Sequence, residues 1–419
     1  MELLKQILKQ IKPSKEEEAG VKEKVDIFLK KINPNLKDAE AALGGSGAKG
    51  TWLAGAHDVD IYVSFDYEKY KDISDKLSDI LEKILKKIFP KVTRLHGSRD
   101  YFQIKEDKFT FEIIPILKID SPEKALNITD ISPLHVRWVS SHQEYSDEVR
   151  LTKQFCKANN VYGAESYIRG FSGYDCEVLT IYYKGFLNLI KAAAKWTEKV
   201  ILDPEKHYKN EKDALQSLNI AKIYAPLILI DPVQAERNVA AALNKEKFSL
   251  FKQACKQFLK KPAIDFFKVK EISIKDIKHK AKSNKLILLD AVSLKGKEDV
   301  IGSKLLKAYE HIAKQLIKND FKIIEKGWTW DKEQKALFWY ILDKKPLLSY
   351  KKWIGPPMQA VHHVMEFKKA HKGDKIYIEK NRVCADVKRK FIEPEPFTEN
   401  MIKKDPYILE RVKEIKLLL

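Results

Sequence analysis

The segment GGSGAKGTWLAGAHDVDIYVSF, from Gly44 to Phe65, contains the most informative pattern of the chain. After His57, apolar and polar residues alternate, and this alternation predicts a β-strand with one buried and one open face. Asp58 and Asp60 fall two residues apart on the open face, so their carboxylates converge on one spot. Two like charges held this close need a cation, and hard oxygen ligands favour Mg²⁺.

The glycine- and serine-rich turn before this strand suits a phosphate group. Such a turn exposes backbone N–H groups that can donate to phosphate oxygens. Ser46 adds a hydroxyl donor to the turn, and Lys49 adds a positive charge. The turn and the strand together predict a site for a phosphate and a metal ion.

A third acidic residue falls on the polar side of a second predicted strand. Alternation from Phe109 onward places Glu112 on that side. Three carboxylates can hold two metal ions, which activate a hydroxyl and stabilise the leaving oxygen of an in-line phosphoryl displacement. An Asp-x-Asp pair alone is also typical of a solvated strand edge. Its combination with the Gly-Ser turn is more specific for a site that binds a metal ion and a phosphate.

Length and composition bound the class of protein. The chain has 419 residues, which predicts several domains, and 44% hydrophobic residues exclude a disordered chain. Lys and Arg number 78 against 59 Asp and Glu, a formal charge of +19 that favours a polyanionic partner.

The four cysteines are widely scattered, which predicts buried thiols rather than disulfides or a zinc site. No signal peptide and no apolar run of membrane-spanning length is found, so we expect a cytoplasmic protein that does not cross a membrane.

The remaining periodicity predicts both helices and strands. Ser14 and Glu17 resemble a capping box that opens a helix. Between Lys245 and Lys285 lie thirteen lysines and four acidic residues, which fits either a phosphate-facing surface or a solvated helix face. We predict helices over 3–11, 70–88 and 304–318, mostly helical structure over 134–243, strands over 321–330 and 335–342, and a hairpin over 375–386 that turns at Lys380-Asn381.

The Gly-Ser turn followed by Asp-x-Asp on a strand resembles the signature of the DNA polymerase β nucleotidyltransferase superfamily. The longer stretch resembles the active-site segment of the archaeal, class I CCA-adding enzymes, which are tRNA nucleotidyltransferases. Five downstream segments resemble the same family in the same order: SPLHVRWV (132–139), DEVRLTKQFCKANNVYGAE (147–165), RGFSGYDCEVL (169–179), IDPVQAERNVAAAL (230–243) and WIGPP (353–357).

This resemblance implies an α+β, multidomain architecture. It comprises a nucleotidyltransferase catalytic head with a mixed sheet (1–133), a helical neck with nucleotide-binding residues (134–250), and an RNA-binding α/β body (251–355) and tail (356–419). It also implies template-independent addition or repair of the 3′-terminal CCA of tRNA from CTP and ATP, with Mg²⁺ and release of pyrophosphate. The tRNA 3′ end and acceptor stem would be the partners, and a homodimer is left open.

The resemblance also assigns roles to individual residues. Asp58, Asp60 and Glu112 fall at the catalytic metal-binding positions, and the nucleotide-binding positions are Ser46, Lys49, His135, Lys153, Tyr162 and Arg237. Two positions depart from the family pattern, which usually has Asp in place of Glu112 and Arg in place of Lys49.

Two kinds of alternative remain at this stage. From the residues alone, His135 also fits a structural histidine, Lys153 a solvated lysine, and Tyr162 a packed turn. For the whole chain, the alternatives are another RNA nucleotidyltransferase (poly(A), CC- or A-adding, or an oligoadenylate synthetase) and a non-catalytic tRNA-binding module.

Overall fold

The computed structural model describes residues 2–219, 223–270 and 272–418. They form two compact units, Met1–Lys270 and Glu271–Leu419. Each unit contains helices and at least one sheet, which confirms the predicted α+β, multidomain class. Among the described helices, none combines the length and the apolar composition that a bilayer crossing requires.

A mixed five-stranded sheet organises the first part of the N-terminal unit. Its strands are β1 (Ala39–Leu43), β2 (Asp58–Phe65), β3 (Thr93–Leu95), β4 (Tyr101–Glu106) and β5 (Phe109–Leu117). The spatial order is β1-β2-β5-β4-β3, with β2 and β5 parallel and the other neighbours antiparallel. The strand predicted after His57 is therefore β2, an interior strand that lies beside the central strand β5.

Two helices cover one face of this sheet. They are α2 (Lys15–Ile32) and α5 (Leu77–Ile88), and their apolar stripes share a core with the buried side chains of β2 and β5. Phe28 of α2 stacks on Phe111 of β5, with ring centroids 4.2 Å apart. Because helices fill the apolar face, the polar side chains of β2 and β5 line the opposite face.

Most of the remaining elements of the N-terminal unit are helices. They are α1 (Glu2–Ile11), α3 (Gly45–Lys49), α4 (Tyr67–Tyr70), α6 (Ser132–Ser140), α7 (Ser146–Ala158), α8 (Gly173–Tyr182), α9 (Phe186–Ala193), α10 (Glu211–Ser217) and α11 (Lys245–Lys260). A core rich in phenylalanine joins α1, α7, α8, α9 and α11. The mostly helical structure predicted over 134–243 is present up to Ala193 in α6 to α9. Beyond Ala193 the prediction is wrong, because the described residues are mostly loops, with α10 and two short parallel strands, β6 (Val200–Leu202) and β7 (Leu227–Leu229).

Two local predictions were wrong in part. Ser14 does cap α2 by accepting from the Glu17 N–H at 3.1 Å, but the Glu17 carboxylate accepts from Gly55 N–H instead of closing a capping box. The helix predicted over 70–88 begins at Leu77 as α5, because α4 and a 3₁₀ turn (Lys71–Lys76) precede it. Ile73 within that turn has φ −128°, ψ 28°, which breaks the helix.

The C-terminal unit contains two antiparallel sheets. Their orders are β14-β8-β10-β9 and β11-β13-β12. The strands are β8 (Lys285–Val292), β9 (Ile323–Trp330), β10 (Lys335–Leu342), β11 (Tyr350–Pro357), β12 (Lys375–Glu379), β13 (Arg382–Lys388) and β14 (Glu414–Leu417), and the helices are α12 (Ile274–Ala281), α13 (Glu298–Lys318), α14 (Val361–Ala370), α15 (Pro394–Lys404) and α16 (Pro406–Leu409).

Several predictions for this unit are confirmed. The hairpin of β12 and β13 turns at Lys380 and Asn381, whose φ angles of 46° and 58° are those of a tight type I′ turn. Strand β10 has the predicted bounds, and α13 begins six residues before the predicted start. The four cysteines are buried free thiols.

Candidate active site

The three predicted carboxylates lie on one face of two hydrogen-bonded parallel strands. In the register of β2 and β5, Asp60 is the direct partner of Glu112, and Asp58 is the partner of Thr110. Asp58 is exposed, and Asp60 and Glu112 are partly buried, whereas the intervening Val59 points into the core. Since side chains on a strand alternate in direction, the three acidic groups share the open face of the sheet.

The Gly-Ser turn packs directly against this acidic face. Gly44 N–H donates to the Asp60 carbonyl at 2.8 Å, and the turn continues into the short helix α3. Gly45 has φ +53°, and a Cβ at this position would lie 1.7 Å from Asp60 Oδ2. Only glycine therefore allows this backbone to lie so close to the carboxylate.

The electrostatics of the acidic face suit a divalent cation. Burial is the main factor that raises the pKa of Asp60, and the nearby Asp58 charge raises it further, while Lys49 and Lys153 oppose the increase. Carboxylate oxygens are the ligands that Mg²⁺ takes in proteins, and a cation would relieve the repulsion between these groups. The residues present therefore fit a metal site formed by Asp58, Asp60 and Glu112.

Two lysines lie beside the Gly-Ser turn and share one buried carboxylate. Lys49 Nζ donates to Glu177 Oε2 at 2.8 Å, and Lys153 Nζ donates to Glu177 Oε1 at 2.8 Å. The Thr51 hydroxyl also donates to Glu177 Oε1, at 2.6 Å. Burial raises the pKa of Glu177, but the charges and hydrogen bonds of Lys153 and Lys49 outweigh burial and hold that pKa at about 2. We call Lys49, Thr51, Lys153 and Glu177 the lysine cluster.

A second buried carboxylate organises His135 and Arg237. His135 Nε2 lies 2.9 Å from Asp231 Oδ2, and Arg237 Nη1 donates to the same oxygen at 2.6 Å. The Tyr174 hydroxyl donates to Asp231 Oδ1 at 3.2 Å. Burial lowers the pKa of His135, although the hydrogen bond to Asp231 acts in the opposite direction. The lowered pKa favours the neutral ring. We call His135, Tyr174, Asp231 and Arg237 the histidine cluster.

The ring of Tyr174 connects the two clusters. Lys49 Nζ lies 4.9 Å from the centroid of this ring, and the guanidinium carbon of Arg237 lies 5.9 Å from it. The ring of His135 packs against Tyr174, with centroids 4.3 Å apart. The predicted residues His135, Lys49 and Arg237 thus surround one aromatic side chain.

Tyr162 and Lys153 meet at the first residue of α8. A Cβ on Gly173 would lie 3.1 Å from the Tyr162 hydroxyl and 3.8 Å from Lys153 Nζ. Tyr162 also forms a parallel bridge with Phe171, so its loop is tied to the segment that leads into α8. Burial raises the pKa of the Tyr162 hydroxyl well above its usual range, so the hydroxyl stays protonated.

The tertiary structure adds residues that the sequence reasoning missed. Glu177, Thr51, Asp231 and Tyr174 hold the predicted lysines, histidine and arginine, although none was singled out before. The signal for Glu177 was present, because an acidic residue between the apolar residues Cys176 and Val178 of α8 predicts a buried partner. The alternative that Lys153 is a solvated lysine is wrong, since its side chain is only 4% exposed.

This sheet, with its carboxylate face beside a Gly-Ser turn and lysines, defines a nucleotidyltransferase. A family model described as a nucleotidyltransferase domain matches residues 22–125. Models for the second domain of tRNA nucleotidyltransferase and for the C-terminal domain of CCA-adding enzyme match residues 147–268 and 293–409.

Curated relatives identify the family more closely. The CCA-adding enzyme of Nanoarchaeum equitans is 37% identical over 349 residues, which cover 83% of this chain and 84% of that protein. The CCA-adding enzyme of Methanocaldococcus jannaschii is 32% identical over 409 residues, covering 93% and 88%. The chain therefore belongs to the archaeal CCA-adding enzyme family of tRNA nucleotidyltransferases, as its motifs predicted.

Solved structures agree on the fold. An RNA terminal uridylyl transferase, Cid1, has a TM-score of 0.51 at 14% sequence identity, covering 65% of this chain and 98% of that one. A cytoplasmic RNA terminal U-transferase has a TM-score of 0.50 at 14% identity, with the same coverage of both chains. At this identity the likeness concerns the nucleotidyltransferase fold alone.

Proposed function

We propose that this protein adds or restores the 3′-terminal CCA of tRNA from CTP and ATP without a nucleic-acid template. The observation that carries the proposal is the register of β2 and β5, which pairs Asp60 with Glu112 and leaves Asp58 on the same face. Three carboxylates beside a glycine turn and a lysine pair can align a hydroxyl with a nucleoside triphosphate. Family membership supports tRNA as the RNA that is extended.

Asp58, Asp60 and Glu112 would hold Mg²⁺ at the open face of the sheet. Bound there, the ions would supply the charge that lowers the pKa of the attacking 3′-hydroxyl and stabilises the leaving pyrophosphate. Gly45 keeps the turn close to the Asp60 carboxylate, so the phosphate-binding N–H groups and the acidic face adjoin each other. Ser46 and Lys49 lie in the short helix α3 that continues that turn, where the triphosphate would lie.

The histidine cluster supports recognition of the nucleotide. Asp231 holds His135 and Arg237 by one carboxylate oxygen, so both side chains keep a defined orientation. Arg237 is partly exposed, and a guanidinium has five N–H donors with which to contact a base or a phosphate as well. Tyr162 would contact the nucleotide near Gly173, and Lys153, whose three N–H donors are engaged by Thr51 and Glu177, would act on it through its charge.

The two departures from the family pattern bear on efficiency. Glu112 is one methylene longer than the usual aspartate, so its carboxylate extends further from β5. Lys49 replaces the usual arginine, and an ammonium offers a point charge instead of a planar fork.

The proposed function also concerns the division of the chain into domains and the surface that binds tRNA. The division into head (1–133), neck (134–250), body (251–355) and tail (356–419) stays a prediction, as do a cytoplasmic location and a homodimer. The acceptor stem would be held through its A-form shape by basic surfaces of the chain. On α11, four phenylalanine and cysteine side chains enter the core while Lys245, Lys256 and Lys260 are exposed, which supports such a surface.

The decisive experiment measures nucleotide incorporation into tRNA. Labelled CTP and ATP are supplied separately and together to transcripts that end before CCA, after C and after CC, with and without Mg²⁺. We expect metal-dependent addition that stops at CCA. Continued addition of A would identify a polymerase, and addition of only C or only A a partial enzyme. A protein that binds tRNA without incorporating nucleotide would be the non-catalytic module.

A further inference from the structure

Glu177 stands out because it is a buried acid in a pocket that is expected to bind an anion. Its side chain is 2% exposed and lies on α8, 128 residues along the chain from Lys49. A carboxylate at this position competes with the triphosphate for the same two lysines. Such an arrangement needs a reason, since a buried ion pair by itself adds little net stability to a fold.

The hydrogen bonds divide the two lysines into different roles. Lys153 Nζ donates to the Thr51 carbonyl at 3.3 Å, to the Thr51 hydroxyl at 3.0 Å and to Glu177 at 2.8 Å. An ammonium has three N–H donors, so those of Lys153 are already engaged. Among the residues that the structure describes, Lys49 donates one hydrogen bond, to Glu177, and its side chain reaches the surface at 10% exposure. Lys49 is thus the lysine with donors left for a phosphate.

We propose that Glu177 is a positioning residue for nucleotidyl transfer, which holds Lys49 at one place beside the Gly-Ser turn and neutralises one of the two lysine charges. This inference rests on the proposed function. Glu177 lies on α8 and accepts hydrogen bonds from Lys153 of α7 and from Lys49 and Thr51, so it ties the segment that carries Lys49 and Thr51 to both helices. The triphosphate would therefore bind to a lysine already aligned with the acidic face.

Loss of the Glu177 charge should change nucleotide binding and the rate of the chemical step in different ways. Without Glu177, two unneutralised lysines would attract triphosphate and pyrophosphate at least as strongly as before. Those lysines would no longer be held at one position. Their charges would therefore stabilise the bound substrate more than they stabilise the transition state, which requires exact alignment. Loss of Glu177 should therefore slow the chemical step and retain the product, without weakening nucleotide binding.

The test compares Glu177→Gln with the wild-type protein in CTP and ATP incorporation. We expect kcat to fall by about tenfold or more while KM for either nucleotide rises by less than about threefold. We also expect the inhibition constant of added pyrophosphate to fall by about fivefold, because the leaving group meets an additional net positive charge. A merely structural role would lower the active fraction but would not strengthen inhibition by pyrophosphate.

Two further variants separate this effect from a folding defect. Glu148→Gln is the matched control, because the Glu148 carboxylate accepts from Phe186 N–H at 2.8 Å and contacts neither lysine through the hydrogen bonds described. It should leave kcat and pyrophosphate inhibition unchanged. Thr51→Val removes the hydrogen bond from the Thr51 hydroxyl to Glu177 and the one that this hydroxyl accepts from Lys153, without changing charge. We therefore expect kcat to fall by about threefold with unchanged pyrophosphate inhibition.

The outcomes distinguish this inference from the proposed function. Wild-type protein that incorporates neither CTP nor ATP would contradict the proposed function itself. Active wild-type protein, with Glu177→Gln turning over at the wild-type rate or inhibited by pyrophosphate no more strongly, would overturn the role of Glu177. If Glu177→Gln does not fold, a Thr51→Val protein with wild-type kcat would overturn it as well.

Discussion

At the scale of single residues, Asp60 is the side chain on which the acidic face depends. It is paired in register with Glu112, lies two residues from Asp58, and contacts the glycine turn through its backbone carbonyl. Burial raises its pKa, so its charged form opposes folding at neutral pH unless a cation is bound. A charge at this position therefore serves the proposed metal site rather than the stability of the fold.

Asp60→Ala should reduce nucleotide incorporation by at least about a thousandfold, because a metal-binding carboxylate acts as part of a unit. The melting temperature and the affinity for tRNA should stay close to those of the wild-type protein. Incorporation, thermal unfolding and tRNA binding are measured on the same preparation. Ser64→Ala, further along the same face of β2, is the control and should keep full activity. Wild-type incorporation by Asp60→Ala would show that the metal site is assigned to the wrong residues.

Asp231 should make stability depend on pH in the acidic range. Its burial raises the pKa, but His135 and Arg237 outweigh burial and lower it from 3.8 to about 2. A carboxyl whose folded pKa is depressed contributes stability above its unfolded pKa, and this contribution is lost as pH falls through the folded value. Chemical unfolding of wild type and Asp231→Asn should therefore differ by about 2 kcal/mol near pH 6, and the difference should close towards pH 2. A difference that stays constant over this range would contradict the pairing.

At the scale of elements, the turn between β1 and β2 determines how close a phosphate site can lie to the carboxylates. Gly45 and Gly55 both have positive φ angles, +53° and +76°. A Cβ on Gly45 would collide with the Asp60 carboxylate, whereas a Cβ on Gly55 would meet nothing within 4 Å. A substitution at Gly55 therefore introduces backbone strain alone. A substitution at Gly45 introduces the same kind of strain and also a collision with the Asp60 carboxylate.

Gly45→Ala should lower kcat by at least about a hundredfold, because displacement of Asp60 or of the turn misaligns the reacting groups. Gly55→Ala should cost about 1 kcal/mol of stability through the same kind of backbone strain, with little change in kcat. Steady-state incorporation and thermal unfolding are measured for both variants. Equal losses of activity in the two variants would mean that the contact with Asp60 is unimportant.

At the scale of the whole molecule, a net charge of +19 should govern the binding of tRNA. Each phosphate that is neutralised releases counterions, so affinity should fall by at least about tenfold between about 50 and 200 mM salt. Binding titrations at several salt concentrations measure the slope. A flat dependence would contradict a phosphate-binding surface.

The lysines of α11 provide a more local version of this test. Lys256 and Lys260 are exposed, while Phe251 and Phe258 of the same helix are buried in the core. Replacing both lysines by alanine should reduce the magnitude of the salt slope by about two, one for each lost phosphate contact. An unchanged slope would assign this face of the helix to solvent, which is the other interpretation that the lysine density allows.

Local patterns in the amino-acid sequence predict the parts of this protein that depend on local geometry. Alternation at period two is a property of the extended chain, so the strand with Asp58 and Asp60 and the strand with Glu112 could be predicted, with their open faces. The tight turn at Lys380-Asn381 and the buried cysteines followed from local composition in the same way. The family could be predicted because five short motifs occur in the required order.

The contacts between distant side chains become apparent once the chain is folded. Lys49 and Glu177 are 128 residues apart, and His135 and Asp231 are 96 residues apart, so no local period relates them. The register that pairs Asp60 with Glu112 likewise depends on how β5 docks beside β2. Buried charges form these pairs because the folded interior penalises an unpaired one, and that penalty exists only once distant segments pack together.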